Sequence, residues 1–294
     1  MQFQKGAPMT PDSTVFSQYL SSLPPVSEPN FLENAKTSLT FASGFDLADP
    51  KIELKLRHTF HVVDACFYLA RALKLSDEET YIACLIGLLH DVGRFEQLTR
   101  FHSFDDSLIP HAKLSVEFLF LDGHIQDYLA PKYEAWSPVI EAAIEYHGVF
   151  QVPDGLPENL LLFTRLIRDA DKLDNFRVKA TDSMEAMLDV TEADLSRESL
   201  SDYAYETFMK KEPLINSLRE TRPDMWLSYV AYLFDLNFPA SFVWILESGY
   251  MEKILRRYAP IDPEDKKRWQ KISGLTRSYI QENCGLSENL SARS

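Results

Sequence analysis

Glycine is scarce in this 294-residue chain: 10 residues, where ordinary usage of about 7% would give roughly 20. That shortage weighs against glycine-rich β architectures and against loops that cradle phosphate on backbone amides. Neither GxxxxGKS/T nor GxGxxG occurs, which excludes the P-loop and Rossmann routes to a nucleotide. Cysteine is scarcer still. Cys66, Cys84 and Cys284 are odd in number, far apart and without a CxxC, so neither a disulfide framework nor a zinc ribbon is expected. Long apolar runs are missing: the longest, Tyr81 to Leu89, is too short to span a bilayer. The opening MQFQKGAPMTPDSTVF lacks the apolar stretch of a signal peptide, so a cytoplasmic protein with no membrane contact is expected. Positive charge is also short. With 30 Lys and Arg against 44 Asp and Glu, the net charge of −14 repels polyanions and argues against a nucleic acid polymer as partner. A small phosphorylated ligand remains compatible, provided a metal or a local basic cluster offsets the field.

The rest of the composition is that of a globular protein, 45% apolar and 25% charged, long enough to bury a large core without disulfide or metal. No alternating apolar pattern of the β type appears, and the class expected is all-α. A short helix is predicted over Ser13–Leu23, in a mixed segment broken by Pro24, Pro25 and Pro29. From about residue 51, Leu54, His58, Val62, Cys66, Leu69, Ala70 and Leu73 recur at helical steps. Ser76-Asp77-Glu78-Glu79 is a capping box, and the helix it opens is apolar nearly all round up to His90-Asp91-Val92-Gly93. Residues 94–109 lack a clean period and read as a long connection. Pro110 precedes a helix from His111 to Leu121, closed by Gly123; Ser137-Pro138 opens another that stops at His147-Gly148. Glu158 to Phe176 is strongly amphipathic. Further helices are predicted over Ala193–Leu218, Met225–Phe234, Pro239–Tyr258 and Pro263–Cys284.

Polar residues sit on these apolar faces in a suggestive pattern. His58 shares its face with Leu54, Val62 and Cys66. His90 and Asp91 close the most apolar helix. His147 follows Ile140, Ala143 and Ile144 at helical spacing, and Asp171 follows Phe163 and Ile167. Four helices thus each point an imidazole or a carboxylate inward. A buried carboxylate needs a partner, and with no lysine or arginine expected on those inward faces, a divalent cation is the natural one. Imidazole and carboxylate suit iron, manganese, zinc, cobalt or nickel more than magnesium alone.

The order H…HD…H…H…D resembles the HD-domain superfamily of metal-dependent phosphohydrolases. HTFHVVDACFYLA is similar to that superfamily's first helix, LIGLLHDVGRFEQ to its central motif, and IRDADKLDNF to its closing aspartate. The resemblance implies an all-α HD-domain helical bundle over 51–185. A helical extension over 1–50 would precede it, and one over 186–294 would pack on the same core. It maps a minimal metal site onto His58, His90, Asp91 and Asp171. It places His111 and His147 where a subset of the superfamily holds a second metal bridged by the HD aspartate. One or two divalent ions (Mn, Fe, Ni, Co, Zn or Mg) are therefore expected. Arg94-Phe95 after the motif, and Gly148 after His147, depart from the deoxynucleotide triphosphohydrolase, (p)ppGpp hydrolase and HD-GYP patterns.

Further roles follow from position. Arg94, a helical turn after His90, is placed to grip a phosphate, and Lys172, beside Asp171, to reach one. His102 and Asp105-Asp106 in the connection are expected to be substrate contacts or a general acid for the leaving group. Asp174 is expected to hydrogen-bond a ligand histidine or to pair with a basic residue, and His61 and His124 to lie off the site. The expected activity is hydrolysis of a small, nucleotide-like phosphorylated substrate by metal-activated water, with Asp91 and Arg94 as catalytic residues. The alternatives are a di-iron oxygenase of the same fold and a non-catalytic nucleotide-binding module. The C-terminal helices are expected to serve a homodimer.

Overall fold

The computed structural model describes residues 14–106, 109–188 and 190–285. Among them there is no strand; the chain is helical, as the periodicity predicts. It divides into two compact units, residues 1–171 and 172–294, with the division inside one long helix.

The first unit contains α1 (Thr14–Ser21), α2 (Asn30–Ala42), α3 (Pro50–Ala72), α4 (Asp77–Leu89), α5 (Val92–Phe101), α6 (His111–Val116), α7 (Ser137–Tyr146) and the first part of α8 (Glu158–Thr181). The predicted first residue of α1, Ser13, lies outside the described residues. α3 begins where Asp49 caps it, accepting from Lys51 N at 2.7 Å, with Pro50 pre-set for the first turn. α4 has the predicted capping box, Ser76 with Glu79. Its side chains from Tyr81 to Leu89 are all buried, and burial of each large one contributes about 1.5–3 kcal/mol. That apolar rod is the centre of the unit. Gly87 lets α3 approach it: a Cβ there would meet Cys66 Sγ at 2.9 Å.

Residues 94–109 are not a long connection. Most of that stretch is α5, and only 102–110 links it to α6. The period is obscured because Arg94, Glu96 and Gln97 are buried polar residues, so the polar side chains fall on the inward face. α6 continues through a wider turn, Glu117–Leu121, before Gly123 (φ 84°) ends it.

Gly93 fixes how α5 meets α6. A Cβ at Gly93 would lie 2.4 Å from Ser115 N and 2.5 Å from His111 O, backbone atoms that cannot yield. Gly93→Ala should therefore destabilise the fold by about 1–3 kcal/mol or more, read as a lowered melting temperature. A melting temperature equal to wild type would show that the two helices can part at no cost.

The second unit contains the end of α8, then α9 (Met184–Leu188), α10 (Glu192–Arg197), α11 (Asp202–Met209), α12 (Arg222–Val230), α13 (Pro239–Ser248), α14 (Tyr250–Arg257) and α15 (Pro263–Asn283). The helix predicted over Ala193–Leu218 is in fact α10, α11 and a short turn at Asn216–Leu218. Ser201 and its neighbours break it: Ser201 caps α11, and its N–H donates to buried Asp224 at 2.9 Å. Pro239–Tyr258 is likewise split, at Gly249 in the left-handed region (φ 65°). Trp226, Phe208, Ile254 and Ile272 are buried at the centre of this unit.

Candidate metal centre

Six of the predicted residues converge in the first unit. α3 carries His58 on its buried face. α4 ends at His90, and Asp91 leaves helical geometry (φ −110°, ψ 16°) so that α5 can start in a new direction. That break delivers the imidazole and the carboxylate to one place. α6 opens at His111, α7 closes at His147, and α8 brings Asp171 one turn after buried Ile167. Five of the six are at most 5% exposed; Asp171 is partly open to solvent.

The imidazoles form a row, with ring centroids 5.5 Å apart for His58–His90, 5.2 Å for His90–His147 and 4.9 Å for His147–His111. Asp91 lies along the row and divides it. Its Oδ2 is 3.6 Å from His90 Nε2 and 3.8 Å from His58 Nε2. Its Oδ1 is 3.0 Å from His111 Nε2 and 3.8 Å from His147 Nε2. His58 Nε2 is also 3.0 Å from Asp171 Oδ1.

The ring tautomers follow from the partners. His90 Nδ1 donates to Gly87 O at 2.8 Å and His147 Nδ1 to Ile144 O at 2.7 Å, since a carbonyl only accepts. His111 Nδ1 donates to Asp106 Oδ1 at 2.7 Å. In His90 and His147 the Nε2 lone pair is left facing the centre. His90 Nε2 is buried with no hydrogen-bond partner. His111 Nε2 and His147 Nε2 stand 2.9 Å apart. Converging bare lone pairs beside two carboxylates are a set of donors for a cation, and ligand atoms of His58, His90 and Asp171, and of His90, Asp91 and His147, are close enough to share one.

Burial keeps the His90 and His147 rings neutral, and the acids stay charged. Burial pushes His90 down to about 4 and His147 down to about 3, outweighing the nearby carboxylates. Burial opposes ionisation of Asp91, but the Lys55 ammonium above all holds it well below the usual carboxylate range. Asp171 is likewise held low, by His58 above all, against the cost of burial.

Lys55 corrects the expectation that no lysine shares these faces. It is buried on α3, and its Nζ donates to Asp91 Oδ2 at 2.6 Å. The signal was its place one turn before His58, between Leu54 and Leu56, where a lysine can reach inward only by burying its stem.

Arg94 is buried but not turned to a phosphate. Its Nη1 donates to Gln97 Oε1 at 2.5 Å and to Asp106 Oδ1 at 3.0 Å, and its Nη2 to Asp106 Oδ2 at 3.3 Å. Asp106 in turn accepts from both the backbone N–H (3.1 Å) and the ring of His111. The pair Arg94–Asp106 therefore orients a ligand histidine. Ser115 does similar work, accepting from Gly93 N at 2.9 Å and donating to His90 O at 3.0 Å. Arg168 Nη1 donates to Tyr146 O and His147 O, at 3.1 Å each, tying α8 to the carbonyls that end α7. Sequence reading missed Gln97, Ser115 and Arg168.

The remaining predicted residues are elsewhere. His102 is exposed in the left-handed conformation that ends α5. Lys172 Nζ is held by Asp235 at 2.9 Å. Asp174 pairs with a basic residue, Arg177, at 2.5 Å, one of its two expected roles. His61 and His124 face away, near Asp64 and Asp127.

Asp106→Asn should leave the fold intact and weaken divalent-metal binding about 10–100-fold, the usual cost of losing the acid behind a ligand histidine. Titration with Mn²⁺ reads it, and unchanged affinity would remove Asp106 from the site's support.

Residues 56–175 match the family model of the HD domain, a stretch that contains all six convergent residues. That segment is an HD domain. Searches of curated proteins and of solved structures return no match. No described helix is long and apolar enough to cross a membrane.

Proposed function

We propose that this chain hydrolyses a small phosphorylated substrate, using two divalent cations held side by side in its HD domain. The observation that carries the reading is the division of ligands by Asp91: Oδ2 faces His58 and His90, with Asp171 beyond, and Oδ1 faces His111 and His147. A carboxylate so placed could be shared by two cations, with His58, His90 and Asp171 available to hold one and His111 and His147 the other. Divalent cations there supply Lewis acidity, bringing the pKa of water toward neutrality and offsetting charge on phosphoryl oxygens.

The protein's own residues set the conditions for that chemistry. Gly87 O, Ile144 O and Asp106 fix the tautomers of His90, His147 and His111, so the ligand atoms need no reorganisation. Burial keeps bulk water off the histidines and strengthens each charge interaction. Arg94, expected to bind substrate, acts instead through Asp106 on His111. With a net charge of −14 outside, the site itself must supply the positive potential that admits an anion.

The test is metal content by mass spectrometry on chelator-free full-length protein, beside phosphate release from a panel of mononucleotides and sugar phosphates. Close to two metals per chain with phosphate release is expected. Protein that takes up no divalent metal would overturn the reading. Two irons with oxygen consumption and no phosphate release would replace it with the oxygenase alternative.

A further inference from the structure

The cations that sequence position offers to a phosphate are already engaged. Arg94 is held bidentately by Asp106, and Lys172 is on Asp235. Lys55 is not so fully used. Its residue is 9% exposed, and its ammonium carries three N–H donors. One goes to Asp91 Oδ2 at 2.6 Å, and among the described residues Asp91 is its one hydrogen-bonded partner. Its other two N–H groups are therefore available to an acceptor from outside the chain.

The surroundings favour an anion. Lys51 lies one turn earlier on the same face of α3, at 6.0 Å from the Phe104 ring centroid, and donates to His102 O at 3.2 Å. Lys55 Nζ is 5.9 Å and Arg94 6.0 Å from the same ring. Three cations thus gather around one aromatic side chain beside the metal ligands. Lys51 is half-buried and Lys55 buried, so the positive charge runs from the rim of the site to its floor. Lys55 stands just before the stretch that matches the HD domain, so nothing in that match assigns it a role.

We propose that Lys55 is the substrate-binding cation of this site. Its ammonium, anchored on Asp91, gives its free N–H groups to a non-bridging oxygen of the substrate's phosphoryl group, and Lys51 supplies the outer charge that draws the anion in. This rests on the phosphohydrolase reading of the same ligands. It also explains why a lysine sits against a carboxylate meant for metal: once divalent cations share Asp91, a phosphate is what makes the ammonium's presence there favourable.

Calorimetric titration of the full chain tests it, first with Mn²⁺ and then with inorganic phosphate on the Mn²⁺-loaded protein. K55M should keep the wild-type Mn²⁺ stoichiometry and bind phosphate about ten-fold or more weakly, the scale of a lost charge-assisted hydrogen bond. K55R should retain most of the phosphate affinity. Equal phosphate affinity in wild type and K55M would overturn the proposal. So would a K55M that is folded by circular dichroism yet has lost Mn²⁺, since Lys55 would then only seat Asp91. A wild type that takes up no Mn²⁺ overturns the phosphohydrolase reading along with it, whereas a wild type that takes up both ligands beside an indifferent K55M overturns only the role of Lys55. Should K55M not fold, ¹⁵N-lysine-labelled wild type in Mg²⁺ decides. The Lys55 Nζ resonance, assigned with K55R, must shift on adding phosphate, and an unmoved resonance counts against the proposal.

Discussion

Asp91→Asn should abolish metal uptake and lower phosphate release by about 10³-fold or more, the scale of removing a residue on which a whole catalytic unit depends. The substitution is nearly isosteric, so its effect is electronic. Asp91 Oδ2 lies between Lys55, His90 and His58, and Oδ1 lies against His111 and His147. Asparagine must turn its NH₂ to one side. Toward Lys55 it opposes two donors; toward His111 and His147 it donates into nitrogens whose lone pairs are ligand atoms. Either way one side of the row loses its acceptor and both lose the negative charge. Lys55 then loses its hydrogen-bonded counter-charge, which costs about 3–5 kcal/mol, so the melting temperature of metal-free protein should fall as well. Asp174→Asn is the matched control. That carboxylate is as buried as Asp91 but serves Arg177, so the variant should lose stability while keeping its metal. Metal content, thermal unfolding and phosphate release on the two variants separate a ligand from a merely buried acid. An Asp91→Asn protein that retains metal and turnover would show that the bridge is not Asp91.

How much of this was legible in the sequence depends on which physics wrote each feature. Helices with one apolar face and an explicit cap, such as α3 behind Asp49-Pro50 and α4 behind Ser76, show at the residue level because both period and cap are local. α5 did not show. Its buried face carries Arg94, Glu96 and Gln97, and a helix that buries hydrogen-bonded polar groups has no apolar period to read. The second unit's helices were over-extended where Ser201 and Gly249 break them, since a break costs the sequence only one residue. Among the convergent residues, those at helical spacing from apolar neighbours were visible, His58, His147 and Asp171. His90-Asp91 was visible as the end of the most apolar helix. The supporting groups were not. Asp106 reaches His111 across a loop, and Arg168 reaches the carbonyls that end α7, contacts that no periodicity encodes. Lys55 was passed over because a lysine next to leucines reads as a solvated charge until its Nζ is seen on Asp91. Arg94 shows the converse error: the right residue in the right place, with its guanidinium committed to Asp106 instead of open to a phosphate.

Without bound cation, the protein should lose stability steeply as pH falls from about 6.5 toward 4, and metal should protect it most at the top of that range. His90 and His147 have ordinary values of 6.5 when unfolded, and burial lowers them to about 4 and about 3 in the fold. Above 6.5 neither state binds a proton at these rings, and they contribute nothing to the pH dependence. Below 6.5 the unfolded chain takes up protons that the folded rings refuse, so the unfolded state gains, and the loss deepens until the folded values are reached. Asp91, Asp106 and Asp171 do not offset it. All are held below the ordinary 3.8, so in the fold they stay ionised across this window; the unfolded carboxylates begin to take up protons toward its lower end, which adds to the loss. One pKa unit corresponds to about 1.4 kcal/mol, so depressions of this size amount to several kcal/mol and roughly ten degrees or more in melting temperature. A cation and a proton compete for the same Nε2 lone pairs. The increase in melting temperature that Mn²⁺ gives at pH 7 should therefore shrink as pH drops, with protons released on binding. Thermal unfolding from pH 7 to 4.5, with chelator and with Mn²⁺, reads both. A metal-free melting temperature that stays level down to pH 4.5 would mean that these imidazoles accept protons in the fold as readily as in water. The neutral lone pairs of His90 and His147, on which the proposed metal site rests, would then not exist.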